Sequence, residues 1–175
     1  MRVFLVCTIL VFCCLAIGCR GLAYKVTTDN MSPTLKIGDA FTVNPLAYQS
    51  DPVERFDIVV FKAPEEIKKL SGESGDVRFV KRIIGLPKEK LEIKDNKVYI
   101  NDKLLDEPFE KIVDDEDRMK SFPAFIIPDN GYFVLGDNRP NSLDSRYYKP
   151  STIKKEDIYG KILEIHPGYY KKQQQ

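Results

Sequence analysis

Short apolar, β-branched or aromatic runs recur along most of the chain: AFTV at 40–43, DIVVF at 57–61, VRFVKRII at 77–84, KVYI at 97–100, AFII at 124–127, YFVL at 132–135 and IYGKILEI at 158–165. Clusters of Pro, Gly, Asn and Asp separate them, and runs of this length between such residues read as strands joined by turns. The spacing predicts a mainly β fold of antiparallel sheets in a barrel or sandwich. Only EEIKKL at 65–70 reads as helix, and it is short. SGESGD at 71–76 and DDEDRMK at 114–120 read as solvated loops, and residues 171–175 as a polar tail. With 175 residues, 43% hydrophobic and 30% charged, the chain suits one compact domain over residues 25–170 and not a disordered segment. The net charge is +1, with Lys and Arg spread among Asp and Glu. Nucleic-acid binding needs a basic patch, so that class is set aside.

The amino-terminal segment has a different character. Val3 to Cys19, VFLVCTILVFCCLAIGC, carries no charge and lies between Arg2 and Arg20. All four cysteines (Cys7, Cys13, Cys14 and Cys19) fall in the first nineteen residues. An apolar run without His or carboxylate is neither a disulfide framework nor a metal site. Three readings compete. Leu22, Ala23 and Tyr24 extend the run past a snorkelling Arg20 to the length of a membrane-spanning helix, giving an uncleaved anchor over residues 1–24. A cleaved secretory signal has the same positive start and apolar centre, and AIGC at 16–19 loosely resembles a lipid-attachment box ending in Cys19. All three place the remaining chain at or beyond a membrane.

The chemistry concentrates in three stretches. VRFVKRII sets Lys81 and Arg82 in the middle of an apolar strand, where alternation puts Lys81 with Phe79 and Ile83, and Arg82 with Val80 and Ile84. Whichever face is buried carries a cation. Either the charges snorkel or pair at an edge, or burial keeps Lys81 neutral enough to act as a general base. VLGDNRPNSLDSRYY at 134–148 follows a strand with eight polar side chains in ten residues, more than a turn requires. TTDNMSPTLKIGD at 27–39 reads as a loop built to present a nucleophile, with Asn30 where a hydroxyl is expected.

In chain order these stretches resemble the type I signal peptidase family of Ser/Lys endopeptidases. NMSPTLKIGD is similar to its Ser-Met-x-Pro-Thr-Leu box, ERFDIVVFKAP at 54–64 to its Arg-Gly-Asp-Ile-Val-Val-Phe box, FVKRIIGLP at 79–87 to its general-base box, and GDNRPNSLDSR at 136–146 to its Gly-Asp-Asn-Arg box. The resemblance implies a largely β, signal-peptidase-like domain behind one transmembrane helix. It implies a single-pass protein of the cytoplasmic (inner) membrane with the β domain on the extracytoplasmic side, near lipid. The implied substrates are the signal peptides of exported preproteins, bound as an extended strand at a small-x-small segment. Lys81 then matches the general base, Ser142 the hydroxyl that holds it, and Thr28 an oxyanion-hole hydroxyl. Asp144 and Arg146 match a bracing ion pair, and Asp137, Asn138, Arg139 and Ser145 stand in the same supporting loop. No cofactor and no metal is implied.

Departures from the pattern matter equally. Phe56 stands for Gly, and Lys88 and Glu89 stand for Gly-Asp, both turn variants. Asn30 stands at the nucleophile, and a carboxamide does not replace a hydroxyl there. Ser32, two residues along and about 6–7 Å away in an extended segment, is too distant for proton transfer at roughly 3 Å; it reads better as a turn residue than as a relocated nucleophile. His166, the only histidine, lies in no box. Two readings stand: a signal-peptide-removing serine endopeptidase of doubtful activity, or a non-catalytic homologue that binds preproteins or associates with an active paralogue.

Overall fold

The computed structural model of the chain describes residues 22–71, 75–109 and 121–169. Its strands are β1 (Leu22–Lys25), β2 (Ala40–Asn44), β3 (Ile58–Lys62), β4 (Arg78–Gly85), β5 (Lys90–Lys94), β6 (Lys97–Ile100), β7 (Lys103–Leu104), β8 (Phe122–Ile126), β9 (Gly131–Leu135), β10 (Ile153–Lys154) and β11 (Ile158–His166). Two short helices, α1 (Ala47–Ser50) and α2 (Glu65–Ser71), connect them. The expected mainly β, antiparallel fold is what forms.

The strands make a seven-stranded sheet in the order β1-β2-β11-β3-β4-β9-β10 and a four-stranded sheet in the order β7-β6-β5-β8. The smaller sheet meanders through tight turns. Asp95 and Asn96, at φ +50° and +59°, join β5 to β6, and Asn101 and Asp102, at +51° and +65°, join β6 to β7. Asn and Asp tolerate this left-handed region, which two-residue hairpins require.

Burial on both faces of the large sheet follows the strand period. Val59, Phe61, Ile83 and Val134 pack with Ile67 and Tyr148 on one face. Val60 turns to the other, against Met31, Leu35, Phe41 and Val43. Ile84, Phe133 and Leu135 meet Leu91, Ile93 and Val98 of the small sheet. With both faces of β4 covered, both of its central cations are buried: Lys81 is 1% exposed and Arg82 7%.

β1 and β9 stand near opposite ends of the sheet order, yet the loops that follow them meet. The Asn138 amide donates to the Asn30 carbonyl at 3.1 Å, closing the sheet on itself through two turns instead of a strand ladder.

One boundary differs from expectation. Leu22 to Lys25 pair with Val43 to Ala40, so Leu22–Tyr24 belong to the β domain and not to an apolar anchor ending at Tyr24. The backbone of Tyr24 is drawn into the sheet by β2, and its ring stacks on Phe41 at 5.4 Å. The remainder of the proposed anchor, residues 72–74 of the 71–76 loop, the whole 114–120 loop and the 171–175 tail lie outside the described residues. Among the described residues no helix is long and apolar enough to cross a membrane.

Candidate active site

The geometry begins with β4. Its carboxy-terminal half pairs with β9 from Arg82 onward, whereas residues 78–81 pair, among the described residues, only with β3. That leaves one edge of residues 78–81 open beside the chain that leaves β1. Between them lies a groove of about 220 Å³, lined mainly by Tyr24, Val26, Thr28, Asn30, Met31, Phe41, Val60, Arg78, Phe79 and Val80. An unpaired strand edge with an apolar trough beside it is a ready acceptor for an extended peptide. On the other side of Asn30 a second, more open cavity of about 410 Å³ is bounded by Thr28, Asp29, Pro140, Asn141, Ser142, Leu143 and Tyr147. Asn30 therefore stands where two cavities meet.

Lys81 is the electrostatic exception in this region. Arg82 holds Asp137 through Nε at 2.9 Å and Nη2 at 2.6 Å, and Arg146 holds Asp144 at 2.7 and 2.8 Å. Arg139 grips Glu107 at 2.5 and 3.2 Å, and Arg55 grips Glu89 at 2.5 and 2.9 Å. Each buried or half-buried guanidinium thus has a two-point carboxylate. Lys81 has no ion pair among the described residues; its Nζ donates to the Val80 carbonyl at 3.0 Å and lies 5.3 Å from the Phe79 ring centre. Burial pulls its pKa from 10.5 to about 8, against the opposing pull of Asp144 and Asp137 and with some help from Arg146. Desolvation wins because the carboxylates are committed to arginines.

The 136–146 loop is a rigid support. Asp144 is fully buried and accepts from the Gly136 amide at 3.1 Å as well as from Arg146. Arg146 also donates to the carbonyls of Arg139 and Ser142. Ser145 ties the loop to β9 by donating its amide to the Val134 carbonyl at 3.1 Å and accepting the Val134 amide on Oγ at 2.9 Å. Asp137 accepts from Thr34 at 2.5 Å besides Arg82, linking this loop to the one bearing Asn30. The Asn138 carboxamide reaches the Asp29 carbonyl at 3.2 Å, and that of Asn141 the Asp29 carboxylate at 2.6 Å.

Gly136 sits where these loops touch. A Cβ there would fall 2.2 Å from Ser142 Oγ and 2.5 Å from the Asn30 carbonyl oxygen, so only glycine fits. The Ser142 hydroxyl is buried and has no hydrogen-bond partner among the described residues. The bond from Lys81 to Ser142 expected from the resemblance is not formed, since the ammonium turns to the Val80 carbonyl.

The side chain of Asn30 is tethered as well. Its Nδ2 donates to Thr28 Oγ1 at 2.9 Å, occupying the hydroxyl's acceptor while leaving its own proton free to donate. Ser32 sits in a turn, not an extended segment: its amide donates to the Asp29 carbonyl at 2.9 Å, and Leu35 closes back on Met31. Ser32 lines neither cavity. His166 lies on β11, remote in sequence from all four boxes, with Glu164 at 3.8 Å.

Reading the sequence missed several partners. Glu107 and Asp29 stand at no position of the quoted boxes, and Thr34, although the Thr of the first box, gives no local sign of its partner, because each meets that partner across 32, 103 or more than 100 residues. Phe56 and Lys88, read as turn variants, have φ of +74° and +69°, the left-handed values that suit the glycine they replace. Phe56 retains a use there: its ring meets Phe109 at 4.9 Å, and Phe109 underlies the Arg82 guanidinium at 3.8 Å.

A two-sheet β domain in which an open strand edge leads to a buried, unpaired lysine defines a class, the Ser/Lys endopeptidases. Within it the chain belongs to the signal peptidase, peptidase S26, family, whose model it matches over residues 1–166. It is 36% identical over 151 residues to signal peptidase I V of Bacillus subtilis (strain 168), covering 81% of this chain and 83% of that one. It is 34% identical over 157 residues to a probable signal peptidase I-2 of Synechocystis, covering 85% of this chain and 66% of the relative. The crystal structure of a signal peptidase I from Enterococcus faecalis V583 superposes with a TM-score of 0.52 at 32% identity, covering 65% of this chain and 98% of that one. The family is one of serine endopeptidases.

Proposed function

We propose that this chain is a membrane-bound, signal-peptidase-like protein that binds the cleavage segment of exported preproteins and, with Asn30 in place of the nucleophile, cleaves it very slowly or not at all. The observation that carries this reading is Lys81: a buried ammonium without a counter-ion, with a pKa of about 8, beside a groove that ends at residue 30. A purely structural lysine in that position would be replaced at a gain in stability by an apolar side chain of similar volume. With a hydroxyl restored at residue 30, Lys81 would serve as its base and the Thr28 hydroxyl as an oxyanion-hole donor.

A second reading is favoured by the Asn30 tether to Thr28, which places a hydrogen-bonded carboxamide where the nucleophile would stand. In it the protein binds preproteins, or an active paralogue, without reacting. One experiment separates the two. Purified chain and its Asn30→Ser variant are incubated in detergent with a preprotein, and the shortened product is followed on a gel. Asn30→Ser is expected to raise cleavage by roughly three orders of magnitude or more, and Lys81→Ala in that background to abolish it. If the unmodified chain is active and Ser32→Ala kills it, the nucleophile is Ser32. If Asn30→Ser stays inert in a folded domain, the binding homologue is the better reading.

The anchor at residues 1–21 is part of the same proposal. Protease added to intact spheroplasts degrades the β domain if it lies outside the cytoplasm, and protection would reverse the orientation. A lipid on Cys19 would replace the anchor by a lipoprotein.

A further inference from the structure

The end of the groove away from Asn30 carries a feature that proton transfer at Lys81 does not use. There Arg78 is fixed from three sides: Nε and Nη2 hold the Asp76 carboxylate at 3.0 and 2.6 Å, Nη1 donates to Tyr24 Oη at 2.7 Å, and the guanidinium stacks on the Tyr159 ring at 3.9 Å. Both oxygens of Asp76 are engaged, since the other one accepts from Tyr159 at 2.6 Å. Of the five guanidinium N–H groups, two keep no acceptor among the described residues, and so does the Tyr24 hydroxyl proton. Lys25 also lines the groove.

Resting on the peptide-groove reading above, we propose that Arg78 and Tyr24 form a specificity subsite that selects an acidic side chain on the substrate, on the fourth residue before the scissile bond. The register follows from strand geometry. The attacked carbonyl must lie near Asn30 and Lys81, and Arg78 is three residues along the same open edge, about 10 Å away. A peptide extended beside β4 therefore sets its residue three positions from the attacked one against Arg78. The small, uncharged residues that precede a signal-peptide cleavage site match the apolar trough, which places the upstream side of the substrate in this groove. A carboxylate entering there meets pre-oriented donors, and orientation held in advance by Asp76 and Tyr159 spares the cost of ordering a free arginine.

The test uses the chain as it is, because Asn30 allows binding to be measured without turnover. Fluorescent peptides spanning a cleavage segment and differing only at that fourth position (Glu, Gln or Lys) are titrated with protein in detergent, and anisotropy is read. The Glu peptide is expected to bind about tenfold more tightly than the Lys peptide at low salt, with the gap shrinking at high salt. Arg78→Gln should erase the gap, Arg78→Glu should reverse it, and Tyr24→Phe should narrow it. Thr27→Trp, at an exposed position lining the groove, reports on the groove itself. Equal affinities for Glu and Lys peptides that Thr27→Trp abolishes overturn the subsite and leave the peptide groove standing. No binding, or binding indifferent to Thr27→Trp, overturns both.

Discussion

Replacing Lys81 with Met tests the electrostatics of the site without reference to turnover. The two side chains are similar in length, and the wall around residue 81 is Phe79, Ile83 and their neighbours, so the exchange removes a charge with little loss of packing. The folded pKa is about 8, against an ordinary 10.5. Each pKa unit corresponds to about 1.4 kcal/mol, so holding the charged form inside the protein costs about 3 kcal/mol. The sign follows from proton binding. Between about pH 8 and 10.5 the unfolded chain holds a proton on this lysine that the folded chain has lost, so unfolding free energy rises with pH across that window. Below pH 8 the destabilisation is fully present. Lys81→Met should therefore be the more stable protein by about 3 kcal/mol at pH 7, the advantage shrinking toward zero near pH 10.5. Urea denaturation followed by tyrosine fluorescence at half-unit pH steps gives both curves. Their difference is the quantity to plot, because Tyr48, Tyr132 and Tyr148, whose hydroxyls burial pushes up, pull both proteins the opposite way above pH 10. A difference that stays flat with pH, or a Met variant less stable at pH 7, would refute the assignment of Lys81 as a desolvated, unpaired cation.

Further outcomes are expected. In the Asn30→Ser background, cleavage should rise with pH and level off above about pH 8 as Lys81 loses its proton, a profile read from initial rates; a plateau already reached at pH 6 would exclude Lys81 as the base. Lys88→Gly should raise stability by about 0.5 kcal/mol in a denaturant titration, since relief of a left-handed residue outweighs the entropy of glycine. Phe56→Gly relieves the same strain but loses the ring contact with Phe109, and should lower stability by about 1 kcal/mol or more. Glu107→Ala removes two charge-assisted hydrogen bonds from the buried Arg139 guanidinium and should cost about 1.5–3 kcal/mol, visible as a fall in the denaturation midpoint.

The fold was legible where period and punctuation agree. Each of the seven apolar runs overlaps a strand, and EEIKKL starts the helix at Glu65. β5 escaped because KLEIK alternates charge with only two apolar residues, although the Asp95–Asn96 pair that follows it is a hairpin signal. β1 was absorbed into the apolar segment before it, since Leu-Ala-Tyr looks the same to a hydropathy reading whether lipid or β2 covers it. Around Lys81 the strand pattern showed that one face must bury a cation. It did not show that both faces are covered, nor that Arg82 takes Asp137 and leaves Lys81 alone. Those outcomes depend on loops that approach from 55 residues away, and no local spacing encodes them.

The position of β11 has a consequence for how such a chain acquires its site during synthesis. β11 is the last of the described strands in chain order, yet it lies between β2 and β3. The hairpin that carries residue 30 and the hairpin that carries Lys81 are therefore joined in the sheet only through residues 158–166. Until that segment clears the ribosome, no strand ladder joins the two hairpins and their facing edges stay unpaired. A chain stopped before residue 158 would contain every residue of the four boxes and still lack the strand that aligns them.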